Sequence, residues 1–392
     1  MSNINNHDQK PISDKAKRFI KRVFPSKYFV RLNKSFGLDV NKEKLFFRSF
    51  ALFIIIAVII QPQDTSLRDL SSFSKEEGTQ TITGIKPISH TLIGKRLNSI
   101  PPDCMDKLLH QLSTQLKGRL QYKNIFPKGM KVFDVTTFSV SANHYEWVAT
   151  RQSRGNLRFL FVMDSNSGTP DAIVDVSANL NDNTAFQTAL QSAKQGRYFV
   201  FDKGFNNFKI LKQLTESKQH FITRFKSNYI FKRTTKRKLP ASVELDGDWV
   251  IESDEIGTIG QKSNNNEIEV RRITCLNMEN GKTFIVITDD RNLSAKTIVK
   301  MYAYRWPIEV LFRHIKSNLH IVHFPSRDQV GVYNWIVFIA LSVICIQLLT
   351  FESGTHNSKN LMMRKTPFKE MLRIARSLIR SWIVYLTIEL RL

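Results

Sequence analysis

The chain has 392 residues, 42% of them hydrophobic and 23% charged, which describes a globular body of roughly two or three domains rather than a disordered one. Lys and Arg number 58 against 34 Asp and Glu, a formal charge of +24 that argues against a partner-free metabolic enzyme and for a polyanionic partner, either nucleic acid or an anionic membrane surface. The three cysteines, Cys104, Cys275 and Cys345, are far apart and form no CxxC pair, which excludes a disulfide scaffold, a zinc ribbon and a thiol-redox motif and points to a reducing, cytoplasmic setting.

Residues 1–50 hold twelve Lys or Arg against four Asp or Glu. No early apolar stretch or small-residue cleavage site is present, so no secretory signal is expected. Phe19, Ile20, Val23 and Phe24 lie among Lys17, Arg18, Lys21 and Arg22, which predicts a short basic amphipathic helix. A solvated basic face and a DNA-contacting face both fit that pattern. Residues 51–60 and 335–349 are apolar runs of ten and fifteen residues. Both fall short of the roughly 20 residues that a membrane-spanning helix needs, so both are expected to be buried core helices. Ser66 has the chemistry of a helix cap, and Pro101-Pro102 opens a helix in which Met105, Leu108, Leu109, Leu112 and Leu116 recur at helical spacing. Residues 1–125 therefore read as a basic, all-helical, DNA-binding N-terminal domain, with Phe126-Pro-Lys-Gly129 at its boundary.

Beyond that point the pattern changes. Residues 131–136, 157–163, 172–176, 198–201 and 221–224 read as strands, and 183–193 and 207–217 as helices, in the order β-β-β-α-β-α-β. Residues 126–225 are thus the first part of an α/β core. Residues 226–293 lack helical periodicity and read as a β-rich insertion, with strands at 249–251, 268–274 and 283–288 and a loop tip at 264–266. Its first stretch is basic, with Lys226, Lys232, Arg233, Lys236, Arg237 and Lys238. Residues 294–350 return to helix and complete the core. Residues 351–392 form a basic helical tail with Ile374, Leu378, Trp382 and Tyr385 on one stripe.

Asp134 and Asp202 each follow an apolar strand, and strand C-terminal ends are where sites assemble in open α/β sheets. Two carboxylates side by side repel unless a cation neutralises them, and Mg²⁺ is the hard ion that carboxylates and phosphate oxygens share. Asp164 and Asp175 also lie at strands, so position alone leaves the choice of acids open. Residues 302–316 narrow it. At 100° per residue Tyr302, Arg305, Glu309, Arg313 and Lys316 share one polar stripe, while Ile308, Leu311 and Ile315 occupy the opposite face. Pro307 is expected to bend this helix and to put Glu309 in a first turn. His314 and His320 are six residues apart, which does not make a zinc pair on one helix face, and His320 and His323 read as partly buried or DNA-proximal side chains.

The spacing Tyr302-x2-Arg305-x3-Glu309-x6-Lys316 resembles, at every position, the Tyr-Arg-Glu-Lys signature of bacterial transposases of the insertion-sequence 4 family. Asp134-Val-Thr-Thr-Phe138 and Asp202-Lys-Gly-Phe205 resemble that family's two aspartate motifs, and Ser66-Leu-Arg-Asp-Leu70 a recurrent N-terminal segment. The likeness spans about residues 45–350. It implies a ribonuclease H-like mixed-sheet catalytic core interrupted by the β-rich insertion, with Asp134, Asp202 and Glu309 as a catalytic triad holding two Mg²⁺ ions, for which Mn²⁺ would substitute. It implies cut-and-paste transposition of an insertion sequence by two-metal phosphoryl transfer. Double-stranded DNA would be the partner, both as terminal inverted repeats and as target, bound by a homodimer with no membrane involved. Arg305 and Lys316 would contact phosphates, with Tyr302 and Arg313 beside them as DNA-binding residues. An inactive or domesticated transposase that only binds DNA is the competing reading.

Overall fold

A computed structural model describes residues 6–40, 45–61, 65–119, 126–148, 150–151, 154–177, 182–193, 196–239, 243–245, 247–261, 264–319, 324–353 and 368–391. Seven helices come first: α1 (Asn6–Val23), α2 (Ser26–Phe36), α3 (Phe47–Ile60), α4 (Leu67–Phe73), α5 (Glu77–Thr83), α6 (His90–Ser99) and α7 (Pro102–Arg119). Their ends follow local chemistry. Ser66 caps α4 by accepting the Asp69 N–H at 3.2 Å, and Ser89 caps α6 by accepting that of Leu92 at 3.3 Å. Gly37 ends α2 with φ of 61°, a left-handed conformation that glycine adopts without a Cβ penalty. The five α7 positions read as an apolar stripe are all buried.

Among the described residues one sheet contains eleven strands. They are β1 (Met130–Ser141), β2 (Thr150–Arg151), β3 (Arg154–Asp164), β4 (Thr169–Asp175), β5 (Tyr198–Phe201), β6 (His220–Arg224), β7 (Ile230–Lys236), β8 (Val243–Glu244), β9 (Trp249–Gln261), β10 (Asn264–Asn277) and β11 (Thr283–Thr288). Strand β3 pairs antiparallel with β1 and β4, β5 runs parallel to β1, and β6 runs parallel to β5. The sheet then continues antiparallel through β11, β10 and β9 to β7 at the edge. The stretch read as an insertion therefore extends the sheet. Residues 264–266 begin β10 rather than forming a loop tip, because Asn264 already pairs with Gln261. The basic run 230–236 is a strand that sequence pattern does not show. An edge strand exposed on nearly every residue has no period-2 burial to mark it.

Alternation along β1 and β5 divides the core. Phe133, Phe199 and Phe201 face one side, packed on α8 (Asp182–Ser192) and α9 (Phe208–Glu216). Met130, Val132 and Val200 join the other, larger core with the N-terminal helices and with α10 (Ala295–Ala303), α11 (Trp306–Asn318), α12 (Gln329–Glu352) and α13 (Phe368–Arg391). By length and composition α12 is apolar enough to cross a membrane, but its whole apolar window is buried inside the protein. It packs on α3, α6, α7, α13 and β4. Like α3 it is apolar all round, as a helix surrounded by protein requires. Asn334 in it donates to the Leu97 and Ile100 carbonyls at 2.7 and 2.9 Å, and the hydroxyls of Ser342 and Thr350 donate to the Phe338 and Ile346 carbonyls, both at 2.8 Å. Helix α13 lies against α1, α3, α5 and α12, with Phe19 and Trp382 ring centroids 5.3 Å apart. Its most buried face is Met371, Leu372, Ala375, Ile379, Trp382 and Leu386, so the stripe expected through Ile374 and Leu378 is rotated by about one residue.

Candidate active site

The pairing register builds the site. Met130 to Phe133 of β1 face Tyr198 to Phe201 of β5, a constant offset of 68 residues. One residue further, the same offset puts Asp134 level with Asp202 on adjacent parallel strands, which lie about 5 Å apart. Asp134 sits within β1, its side chain 14% exposed, and its Oδ1 accepts the N–H of Val135 at 2.9 Å. Asp202 follows the last residue of β5 and caps a short 3-10 turn, accepting the Gly204 N–H at 3.3 Å. Phe205 anchors that turn by stacking on Phe186 of α8 at 5.1 Å.

The third acid arrives from α11. The chain between α10 and α11 breaks at Tyr304-Arg305 rather than bending at Pro307, because Pro307 falls in the opening positions of α11, where its missing N–H costs no hydrogen bond. Glu309 then lies in the first turn, as expected, and Ile308, Leu311 and Ile315 are buried beneath it. Arg305 reaches across. Its Nη1 bonds Asp134 Oδ2 at 2.9 Å and its Nη2 meets Glu309 Oε1 at 2.5 Å, so one guanidinium clasps two of the three acids. The buried Tyr302 ring lies 6.0 Å from the same guanidinium. Lys316, two turns after Glu309, donates to the Thr137 carbonyl of β1 at 2.8 Å and sits 5.0 Å from the Phe138 ring. Arg313 is exposed on α11. Trp306, at the start of α11, is 57% exposed.

Electrostatics set this site apart. Burial raises the Asp134 carboxyl to about 6, and the charges of Glu309 and Asp202 add to that, outweighing Arg305 and the Val135 N–H. Arg305 is itself held above its ordinary value because Asp134, Tyr302 and Glu309 outweigh the effect of its burial. Among the described residues no three carboxylate, imidazole or thiol side chains are drawn together closely enough to chelate an ion. The donor set nevertheless suits a hard divalent cation: it is carboxylate oxygen only, and a positive group already stands between two of its members. The other strand-borne acids are committed elsewhere. Asp164 bonds Lys131 at 2.8 Å, and Asp175 accepts the N–H of Ser177 at 2.9 Å and an amide N–H of Gln329 at 3.2 Å. His320 and His323 lie outside the described residues.

Transposase DDE domains match residues 127–345, more than half of the chain. The chain belongs to the DDE transposase family. Curated relatives agree. The probable transposase for insertion sequence element IS5377 of Geobacillus stearothermophilus is 23% identical over 286 residues, covering 72% of this chain and 73% of that protein. The putative transposase y4zB of Sinorhizobium fredii is 30% identical over 186 residues, 47% of this chain and 51% of that protein. Among solved structures, a piggyBac transposase synaptic complex with hairpin DNA aligns over 94% of this chain and 81% of its own, at 13% identity and a TM-score of 0.45.

Sequence reasoning did not place one cation near these acids. Lys226, read as part of the basic insertion, donates to the Asn206 carbonyl at 2.7 Å, at the end of the turn that Asp202 caps. The β5 and β6 register, with Tyr198 opposite His220, also carries Arg224 level with Asp202. The available signal was topological: a strand following α9 had to pair beside β5, so its C-terminal end had to reach the same rim.

Proposed function

We propose that this protein is a cut-and-paste transposase of the insertion-sequence 4 type, acting in the cytoplasm on the ends of its own element. The observation that carries the reading is the 68-residue register, which levels Asp134 with Asp202 beneath a helix presenting Glu309. The β4-β3-β1-β5-β6 order, antiparallel then parallel, supports a ribonuclease H-like core. Asp134, Asp202 and Glu309 would hold two Mg²⁺ ions, with Mn²⁺ as substitute. When bound, the ions would activate a water or DNA 3′-hydroxyl and stabilise the leaving oxygen of an in-line displacement. Arg305 holds Asp134 and Glu309 in mutual register and, with Tyr302, lines the approach to them. Lys316 and the exposed Arg313 continue the basic stripe along α11, suited to the phosphates of a duplex end. The exposed cations of α1 and α13, helices packed against each other, would grip DNA farther from the chemistry. Joining two ends needs two active sites, so a homodimer on DNA is part of the proposal.

The test mixes purified protein with duplexes carrying the inverted repeats that flank its gene, with Mg²⁺, beside Glu309→Gln. Cutting at the repeat ends and strand joining, both lost in the variant, support the reading. Binding without cutting in Mg²⁺ and in Mn²⁺ would instead identify a DNA-binding protein that has lost transposition.

A further inference from the structure

One residue ties the turn after Asp202 to the end of β6. Asn206 is 4% exposed. Its backbone N–H donates to the Lys203 carbonyl at 3.1 Å and closes the turn that Asp202 caps. Its side-chain Nδ2 donates to the Arg224 carbonyl at 2.9 Å, which fixes the turn to the last residue of β6. Its own carbonyl accepts two more bonds, from Lys226 Nζ at 2.7 Å and from the Tyr229 hydroxyl at 3.2 Å. Tyr229 is buried and packs on Phe208 at 4.8 Å and on Phe225 at 5.9 Å, so this acceptor is anchored from both sides.

The consequence falls on Lys226. Its ammonium is bonded to a neutral carbonyl rather than to a carboxylate, so its charge is not consumed in that contact. An ammonium has three N–H donors, and the Asn206 carbonyl takes one. Burial lowers its pKa and the charge of Asp202 opposes that, which places the two groups in one electrostatic neighbourhood. The rim therefore has a division of labour. Arg305 is committed to Asp134 and Glu309. A DNA strand brought to three carboxylates meets repulsion unless another cation stands beside the remaining acid. Lys226 is bonded to the last residue of the turn that Asp202 caps, half-buried and held by its partner, so little side-chain freedom remains to be lost when it binds.

We infer that Lys226 binds a phosphate oxygen of the DNA strand beside Asp202, and that Asn206 is the residue positioning it. This rests on the proposed function and extends its DNA contacts from α11 to the end of β6. Lys suits the role as a compact point charge.

The experiment measures binding of an inverted-repeat duplex by fluorescence anisotropy over a range of salt, in EDTA, and cutting of the same duplex in Mg²⁺. Lys226→Ala, Lys226→Arg, Asn206→Ala, the double variant Asn206→Ala/Lys226→Ala, and Lys212→Ala are compared with wild type. Lys212 is an exposed lysine of α9 and controls for simple loss of a charge. Lys226→Ala should weaken binding about tenfold and lower the slope of log K against log salt by about 0.9, one phosphate contact. Lys226→Arg should keep the slope, and Lys212→Ala should match wild type. Asn206→Ala should weaken binding, and the double variant should bind no worse than Lys226→Ala alone, because the two residues act as one unit. Wild-type slope and affinity in Lys226→Ala would overturn the inference. So would an equal loss in Lys226→Arg, which would mean disturbed packing rather than a lost charge contact. Wild-type cutting that is absent in Asp202→Asn checks the underlying function independently. Failure of that check with the wild type, with no repeat binding, overturns both.

Discussion

Strand β1 carries two charged clusters three residues apart, and they are built on opposite principles. At one, Lys131 bonds Asp164 at 2.8 Å and Asp171 at 2.5 Å, and Lys117 of α7 meets the same two acids. Ser113, Ser167 and Thr169 complete the network. Two cations balance two anions. Burial alone would raise the Asp164 carboxyl, yet Lys131 and Lys117 bring it down to about 2. At the other cluster, Asp134 shares Arg305 with Glu309 and feels Asp202 as well, and its carboxyl rises to about 6. The first arrangement is satisfied internally and belongs to the fold. The second is under-neutralised, and such a deficit of positive charge is what a site reserved for outside cations requires.

That contrast can be broken at either end. The largest effect expected is on activity: Asp202→Asn or Glu309→Gln should lower end cleavage by roughly a thousandfold or more, while repeat binding in EDTA stays within about threefold of wild type. Comparable cutting by either variant would remove that residue from the proposed triad. Next, Lys131→Met leaves two half-buried acids with Lys117 as their remaining cation, and urea unfolding should show a loss of about 3 kcal/mol. No comparable loss should accompany Asp202→Asn. Third, Asp164→Asn should cost about 2 kcal/mol at pH 7. The folded pKa is depressed, so this contribution is full above the unfolded value near 4 and disappears as pH falls through about 2. A wild-type-to-variant gap that persisted at pH 2 would contradict that assignment. The smallest effect is the inverse one. The folded pKa of Asp134 is raised, so its ionisation weakens the folded state above about pH 6, and that cost is relieved as pH falls from 6 towards 4. Metal-free Asp134→Asn should therefore gain under about 1 kcal/mol at pH 7, since losing the Arg305 contact offsets most of the relief. A clear loss of Tm would make Asp134 a structural residue like Asp164.

Much of the site was legible because it is written in local spacing. Asp134 and Asp202 lie in or just after strands whose apolar residues announce them, and Glu309 and Lys316 lie on one amphipathic helix, with Arg305 at its start and Tyr302 on the helix before it. What could not be read was which acids are free. Asp164 ends a strand just as Asp202 follows one, and only the presence of Lys131 and Lys117 around it separates a structural carboxylate from a candidate ligand. Lys226 belongs to a basic run along the chain, and only the folded structure shows its ammonium bonded to the Asn206 carbonyl, at the end of the turn that Asp202 caps.

Local sequence sufficed for the Ser66 cap, the apolar face of α7 and the strands buried in the sheet, since each depends on neighbours within a few residues. The sequence also held the 68-residue interval from Asp134 to Asp202, although the interval acquires meaning only when β1 and β5 pair in parallel. Tertiary structure decided the rest. It placed α13 against α1 across nearly the whole chain, made an edge strand of the basic residues 230–236, assigned Arg305 to two acids and bonded Lys226 to the Asn206 carbonyl at the end of the turn that Asp202 caps. Those outcomes rest on burial and charge pairing between distant segments, and no local periodicity encodes which distant cation will face which acid.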